Sequence, residues 1–169
     1  KSHTSFRNKA LISLGIKPAI AHIIEKFPSN IPIVIAVGYK KDSLKEVLNE
    51  LYPDRSIDFV NVDNFDGPGS GLGHSMLCCE EKLQCPFVFV PNDTLIYRSK
   101  IDINPNEHGN WVAGYKNSKK LVDPAHYRCM EVTGQTAKSI LPKGVNTDTI
   151  YMGLCGIHNY KKFWDDMRS

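Results

Sequence analysis

Ile20, Ile23, Ile24 and Phe27 recur at i, i+3, i+4 and i+7, which gathers them on one face of a helix. Pro18 suits the first turn of that helix, and Pro28-Ser29-Asn30 stops it. Ile33–Val37 differs in kind, a β-branched run that reads as a buried strand. After the Gly38-Tyr39 turn the helical spacing returns, with Leu44, Val47, Leu48 and Leu51 on one face and Asp42 or Ser43 placed to cap it. Tyr52-Pro53-Asp54 ends this second helix. Residues 57–62 form another strand, residues 63–71 a loop with three glycines and a proline, and residues 72–83 a third helix. That helix leads into Pro86-Phe87-Val88-Phe89-Val90, a continuous apolar run of the type found in strands buried on both faces of a parallel sheet.

Strands that alternate with helices across short breaks imply parallel crossovers, so the first half predicts an α/β fold with a mostly parallel sheet. The second half has another rhythm. Residues 110–115, 126–132, 137–141 and 150–157 read as strands with no strong helix between them, which suggests antiparallel additions or a β-flap. Residues 160–167 form a closing helix, with Phe163 and Trp164 as packing residues. Before the first helix, residues 1–9 are a polar, basic loop and residues 10–14 a brief strand or extended segment. There is no internal repeat and no low-complexity tract.

Composition narrows the function classes. At 169 residues the chain is one domain, 1–169, able to bury a core, and 41% hydrophobic with 23% charged residues is ordinary for a globular protein. A net charge of +3 without a basic stripe and interleaved aromatics argues against a nucleic-acid partner. No apolar run is long enough to span a bilayer, and the start does not read as a signal peptide, so membrane insertion is not expected. The five cysteines are odd in number: Cys78 and Cys79 are adjacent, Cys85, Cys129 and Cys155 are scattered, and no pair has zinc-ligand spacing. Reduced, buried or half-buried thiols in a cytoplasmic protein are the economical expectation.

The candidate chemistry begins at Asp93, just past the apolar run in Pro91-Asn92-Asp93-Thr94. Ligands of α/β sheets bind beyond the carboxyl ends of strands, and a carboxylate there can hold a hard divalent cation and, through it, phosphates. The alternative is that Asp93 caps the following turn through a backbone N–H. One crossover earlier lies Asp66-Gly67-Pro68-Gly69-Ser70-Gly71-Leu72-Gly73-His74-Ser75, between a strand and a helix. Its glycines let backbone approach a base or phosphate, although it is neither a P-loop nor a dinucleotide fingerprint. A merely flexible loop is the other interpretation. Lys9 can offset charge in phosphoryl-group chemistry or be a solvated surface lysine, and Arg7 has the same two readings. His74 is a ligand contact or a partly exposed helix residue. Lys143 falls in a turn, and Tyr127 and Arg128 fall on a predicted strand, where they line a pocket or simply pack.

In order along the chain, these segments resemble the sugar-phosphate nucleotidyltransferases. Asn8-Lys9-Ala10-Leu11 with Ile16-Lys17-Pro18-Ala19-Ile20 looks like that family's lysine segment, usually Pro-Lys-x-Leu followed by Gly-Lys-Pro-hydrophobic-Ile. Val37-Gly38-Tyr39 resembles its Gly-Tyr turn, and Gly71-Leu72-Gly73-His74-Ser75 its base-contacting turn. Asn92-Asp93-Thr94 resembles the segment whose aspartate binds magnesium, Pro142-Lys143 the segment contacting the sugar phosphate, and residues 151–157 a later family strand. The resemblance implies a Rossmann-like three-layer αβα sandwich of the nucleotide-diphospho-sugar transferase type. It implies transfer of a nucleoside monophosphate from a nucleoside triphosphate to a phosphorylated sugar or alcohol, with release of pyrophosphate, for polysaccharide or surface-glycan precursors.

Carried over by position, Lys9 and Asp93 become catalytic and Asp93 the ligand of Mg2+. Gly67, Ser70, Gly71 and Leu72 become nucleotide-binding, and Lys143 and Tyr127 substrate-binding. A homo-oligomer is compatible with the resemblance. The family opens with a strand and a Gly-rich loop ending in arginine, which nothing here supplies, so the domain is expected to be incomplete at its N-terminus. Pro-Asn before the aspartate replaces the usual Gly-Asp, and the late second metal carboxylate has no clear counterpart. A glycosyltransferase of the same fold would normally carry Asp-x-Asp where this chain has Asn92-Asp93-Thr94. A nucleotide- or sugar-binding domain without activity is the non-enzymatic alternative.

Overall fold

The structure, a computed structural model, describes residues 7–96, 109–119 and 122–169. The basic start expected as a loop lies, for residues 1–6, outside the described residues. The chain divides into two compact units. The first holds residues 7–86, 95–96 and 159–169, and the second residues 87–94, 109–119 and 122–158.

The first unit is built on a β-α-β element. Strand β3 (Ile33–Val37) leads through helix α2 (Lys41–Leu51) to β4 (Ile57–Asn61), and the two strands pair in parallel from Ile33↔Ile57 to Val37↔Asn61. Before it, β1 (Ser13–Leu14) and β2 (Lys17–Pro18) form a small antiparallel hairpin, and α1 (Ala19–Ile24) follows directly. Ala10, Ile20, Ile24, Val37, Leu44 and Leu48 make one core, with Ile33, Ile35, Ile57 and Phe59 packed against it. The apolar helical faces therefore point where their spacing predicts: Ile20, Ile23 and Ile24 are buried from α1, and Leu44 and Leu48 from α2.

Three local expectations change in this unit. Helix α1 stops at Ile24, short of Phe27, because Glu25, Lys26 and Phe27 close as successive turns ahead of Pro28. Residues 9–11 form a 3-10 turn (Lys9–Leu11) where an extended segment is predicted, because the Asn8 side chain caps it. Helix α2 begins one residue past Lys40, not at an Asp42 or Ser43 cap; the Ser43 hydroxyl instead donates back to the Lys40 carbonyl at 3.0 Å. Lys40 holds φ 50, the left-handed region that disfavours a Cβ. Lys40→Gly should raise stability by roughly 0.5–1 kcal/mol, since glycine is also an adequate N-cap. A urea titration of the two proteins measures this as a higher midpoint at unchanged slope.

After the glycine loop, α3 (Leu72–Cys78) and a 3-10 turn (Glu80–Lys82) replace the single predicted helix over residues 72–83. The closing helix α4 (Tyr160–Arg168) packs beside α3, where a Cβ on Gly73 would sit 3.6 Å from Met167 Cε. Asn159 caps α4 by accepting from the Lys162 N–H. Trp164 is 1% exposed, and its indole donates to the Leu83 carbonyl at 3.0 Å, so the predicted packing residue also anchors the end of the α3 segment.

The second unit is antiparallel throughout its described pairs. Its sheet has the order β5 (Phe87–Phe89), β9 (Thr149–Ile157), β6 (Trp111–Lys116). The strands β7 (Met130–Thr133) and β8 (Thr136–Ile140) form a separate hairpin across Gly134. The apolar run at residues 86–90 is thus a half-buried strand with antiparallel β9 as its partner, in place of the parallel neighbour its pattern predicts. The physical reason is non-local: β9 is long and mostly apolar, and residues 155–157 supply the matching edge. Gly156 lets the Trp111 indole lie against that strand, where a Cβ would meet Nε1 at 2.1 Å. Among the described residues, β3–β4 is the one parallel pair, so the alternating first half is legible only in that element.

The five cysteines are free. Cys79, Cys129 and Cys155 are buried, Cys78 is half-buried and Cys85 is exposed, the last against expectation. Burial pushes the Cys79 thiol up to about 11 and raises that of Cys155, so neither is a ready thiolate. Among the described residues, no helix is long and apolar enough to cross a membrane.

Candidate functional site

Lys9 and the glycine loop belong to the first unit. Lys9 is the first residue of the 3-10 turn, exposed, with buried Ala10 directly after it. The Asn8 carboxamide accepts from the Ala10 N–H at 3.0 Å and donates to the Tyr39 carbonyl at 2.7 Å. That carbonyl belongs to the turn following β3. Its neighbour Gly38 has the Phe65 side chain so close that a Cβ would meet it at 2.6 Å. The Tyr39 and Phe65 rings lie 6.4 Å apart, and Phe65 opens onto the glycine loop. The lysine turn, the β3–α2 turn and the start of the loop are therefore in one continuous series of contacts.

The loop carries internal hydrogen bonds. Ser70 donates its N–H and its hydroxyl to the Gly67 carbonyl at 3.1 and 2.7 Å. Asp66 accepts from the Gly67 N–H at 3.0 Å, and Asn64 donates to the Pro68 carbonyl at 3.2 Å. Gly67 and Gly69 hold φ 87 and φ 80, so the turn demands glycine there. Gly71 is different: its extended backbone is open to any residue, and a Cβ would meet nothing within 4 Å. Leu72 begins α3 with its side chain exposed. His74 is half-buried, with Nε2 3.8 Å from Cys78 Sγ one helical turn on, the position of an ordinary helix residue.

Asp93, Tyr127 and Lys143 belong to the second unit. Asp93 lies in a tight turn beyond the carboxyl end of β5, closed by the Thr94 N–H donating to the Pro91 carbonyl at 3.2 Å. Strand β9 pins this turn through a bulge. Val112 pairs with Cys155 and Gly114 with Tyr151, so residues 152–154 lie opposite Ala113. Within the bulge, the Met152 carbonyl accepts from the Thr94 hydroxyl at 3.2 Å. Gly153, at φ 80, leaves room for Pro91, whose Cγ would be 2.7 Å from a Cβ. The capping alternative for Asp93 is not what the turn uses: its carboxylate is exposed and makes no hydrogen bond or ion pair among the described residues.

Tyr127 falls not on a strand but in a bend, because Asp123 caps a 3-10 turn (Pro124–His126) by accepting from the Ala125 N–H. Strand β7 starts only at Met130. Lys143 occupies the turn its sequence predicts, closed from Val145 N–H to Pro142 carbonyl at 3.2 Å with Gly144 at φ 94. The register Met130↔Ile140 sets the Tyr127 bend and the Lys143 turn at the same end of the β7–β8 hairpin. Both side chains are exposed.

Among the described residues, no three His, Cys, Asp or Glu side chains gather as a metal group. One exposed carboxylate with no partner among the described residues still suits magnesium, which commonly takes one or two carboxylates and completes its shell with water and substrate phosphates. What sequence reasoning missed is the support behind these residues. Asn8 is hidden by the reading of residues 1–9 as a polar loop. The β9 bulge had a signal in Gly153, a glycine inside an otherwise apolar strand.

No protein-family model matches the chain. Two curated relatives, each called bifunctional protein GlmU, from Methanococcus maripaludis and Methanococcus vannielii, are 26% identical over 129 residues, covering 68% of this chain and 29% of theirs. The chain thus spans under a third of the length of those relatives. Solved structures match over almost all of it. The inositol-1-phosphate CTP transferase from T. maritima gives a TM-score of 0.74 at 18% identity, covering 97% of this chain and 66% of that one. The nucleoside-diphosphate-sugar pyrophosphorylase from Vibrio cholerae gives 0.74 at 10% identity, over 98% and 72%. The CTP:phosphocholine cytidylyltransferase from Streptococcus pneumoniae gives 0.68 at 18% identity, over 95% and 66%. The fold of this chain is the α/β fold that these nucleotide-transferring enzymes share.

Proposed function

We propose that the chain is the nucleotidyltransferase domain of an enzyme that moves a nucleoside monophosphate from a nucleoside triphosphate to a phosphorylated sugar or alcohol. An oxygen of the acceptor phosphate attacks the α-phosphorus, the bond from that phosphorus to the bridging oxygen breaks, and pyrophosphate leaves. The observation that carries this reading is Asp93, an exposed carboxylate with no partner among the described residues, on a turn pinned beyond the end of β5, in a chain whose fold matches nucleotide-transferring enzymes.

Asp93 is the magnesium ligand in this reading. The ion, when bound, supplies charge neutralisation across the phosphate oxygens. Lys9 offers its exposed ammonium to the triphosphate, where charge develops on the leaving pyrophosphate. Gly67, Ser70, Gly71 and Leu72 hold the nucleotide, and the internal bonds of the loop mean that little order is lost on binding. Lys143 and Tyr127, exposed at one end of the hairpin, take the phosphorylated acceptor. No protein nucleophile is needed; catalysis rests on positioning and charge. We further place the 169 residues in one three-layer domain, in a cytoplasmic enzyme supplying precursors of polysaccharide or surface glycan.

The test uses the full chain, with whatever its reading frame encodes upstream of Lys1. Pyrophosphate release is measured with each of the common nucleoside triphosphates, magnesium and a panel of phosphorylated sugars and amino alcohols. Release that requires both an acceptor and magnesium supports the reading. Nucleotide binding without release under every combination supports the inactive binding domain instead.

A further inference from the structure

We infer that Asn8 is a positioning residue for Lys9, setting the path of its side chain from the turn beneath it. The inference rests on the reading above, in which Lys9 meets the triphosphate. Lys9 is exposed, and its ammonium makes no hydrogen bond or ion pair among the described residues. Its backbone, by contrast, is held on both sides. Asn8 accepts from the Ala10 N–H through Oδ1 at 3.0 Å, and its carbonyl accepts from the Leu11 N–H at 3.0 Å. Ala10 itself is 2% exposed and seated in the core with Ile20, Ile24 and Val37. The second arm of the carboxamide, Nδ2, donates to the Tyr39 carbonyl at 2.7 Å. This ties the lysine turn to the turn that follows β3. A carboxamide is the side chain that can accept on one arm and donate on the other. Asn8 holds φ −63 and ψ 136, values that proline also adopts, so Asn8→Pro keeps the backbone path and removes both side-chain bonds.

The test is a double-mutant cycle on turnover in the full chain, with substrates saturating. Asn8→Ala and Asn8→Pro should each lower kcat about tenfold and leave the KM for the acceptor unchanged. In a Lys9→Ala background the same Asn8 substitutions should cost nothing further, because a residue that acts through another has no effect once the other is gone. A general loss of folded protein would lower turnover by the same factor in both backgrounds, and that outcome overturns the proposal alone. Full activity of Asn8→Pro and Asn8→Ala also overturns it. If Lys9→Ala itself turns over normally, the role given to Lys9 fails and this inference fails with it.

Discussion

Asp93→Ala is expected to lower magnesium-dependent turnover by on the order of 100-fold or more while leaving stability within about 0.5 kcal/mol of the parent. The two halves of that expectation come from the same observation. The carboxylate makes no hydrogen bond or ion pair among the described residues, so its removal breaks no contact there. An acid exposed at the end of an apolar strand, on a turn closed by other groups, suits a ligand. Asp93→Asn separates charge from shape: it keeps the size and one oxygen but not the ionised group, and turnover should remain low. Raising the magnesium concentration should recover part of the loss if the residue acts by holding the ion. Turnover rates against magnesium, with thermal melts of all three proteins, give both readouts. A variant that melts like the parent and turns over like the parent would remove Asp93 from the chemistry.

The second large effect is on Gly153. Gly153→Ala should destabilise the protein by about 2–4 kcal/mol, combining about 1 kcal/mol for a Cβ at positive φ with about 1–3 kcal/mol for overpacking. The backbone at φ 80 is unfavourable for any residue with a Cβ, and that Cβ would stand 2.7 Å from Pro91 Cγ. Either the β9 bulge or the Asp93 turn has to shift. Because the Met152 carbonyl in the same bulge accepts from Thr94, the turn would lose its pin as well as its space. A drop in melting temperature of about 5–10 °C follows from the size of the chain. Activity measured well below the melt should fall further than the folded fraction does. Pro91→Ala in the Gly153→Ala background, which opens the space again, should restore part of both. Melting curves of the single and double variants decide this; an unshifted melt for Gly153→Ala would mean the bulge is looser than its packing indicates.

How much of this was legible in the sequence depends on how local each decision is. The β-α-β unit of β3, α2 and β4 could be read because each part carries its own signal: β-branched runs for the strands and leucines at helical spacing between them. The run at residues 86–90 could be read as a strand but not as an antiparallel one, because its partner, β9, lies some sixty residues on and nothing local names it. Small capping side chains made the other differences. Asn8 bends residues 9–11 into a turn, and Asp123 followed by Pro124 shortens β7 and leaves Tyr127 in a bend. Of the candidate site, the exposed acid and the glycine turns were visible as residue types. Their supports were not, since a bulge opposite Ala113 and a carboxamide reaching Tyr39 are decided by pairing and packing at a distance.

The central claim is that this chain transfers a nucleotidyl group, and the fate of individual phosphates tests it most directly. The full chain is incubated with magnesium, a phosphorylated acceptor and the nucleoside triphosphate it turns over, labelled in one reaction at the α-phosphorus and in another at the γ-phosphorus. Nucleotidyl transfer predicts that the α label appears in the acceptor product and the γ label in pyrophosphate. Transfer of the γ label to the acceptor, or release of the α label only as free nucleotide, would contradict it.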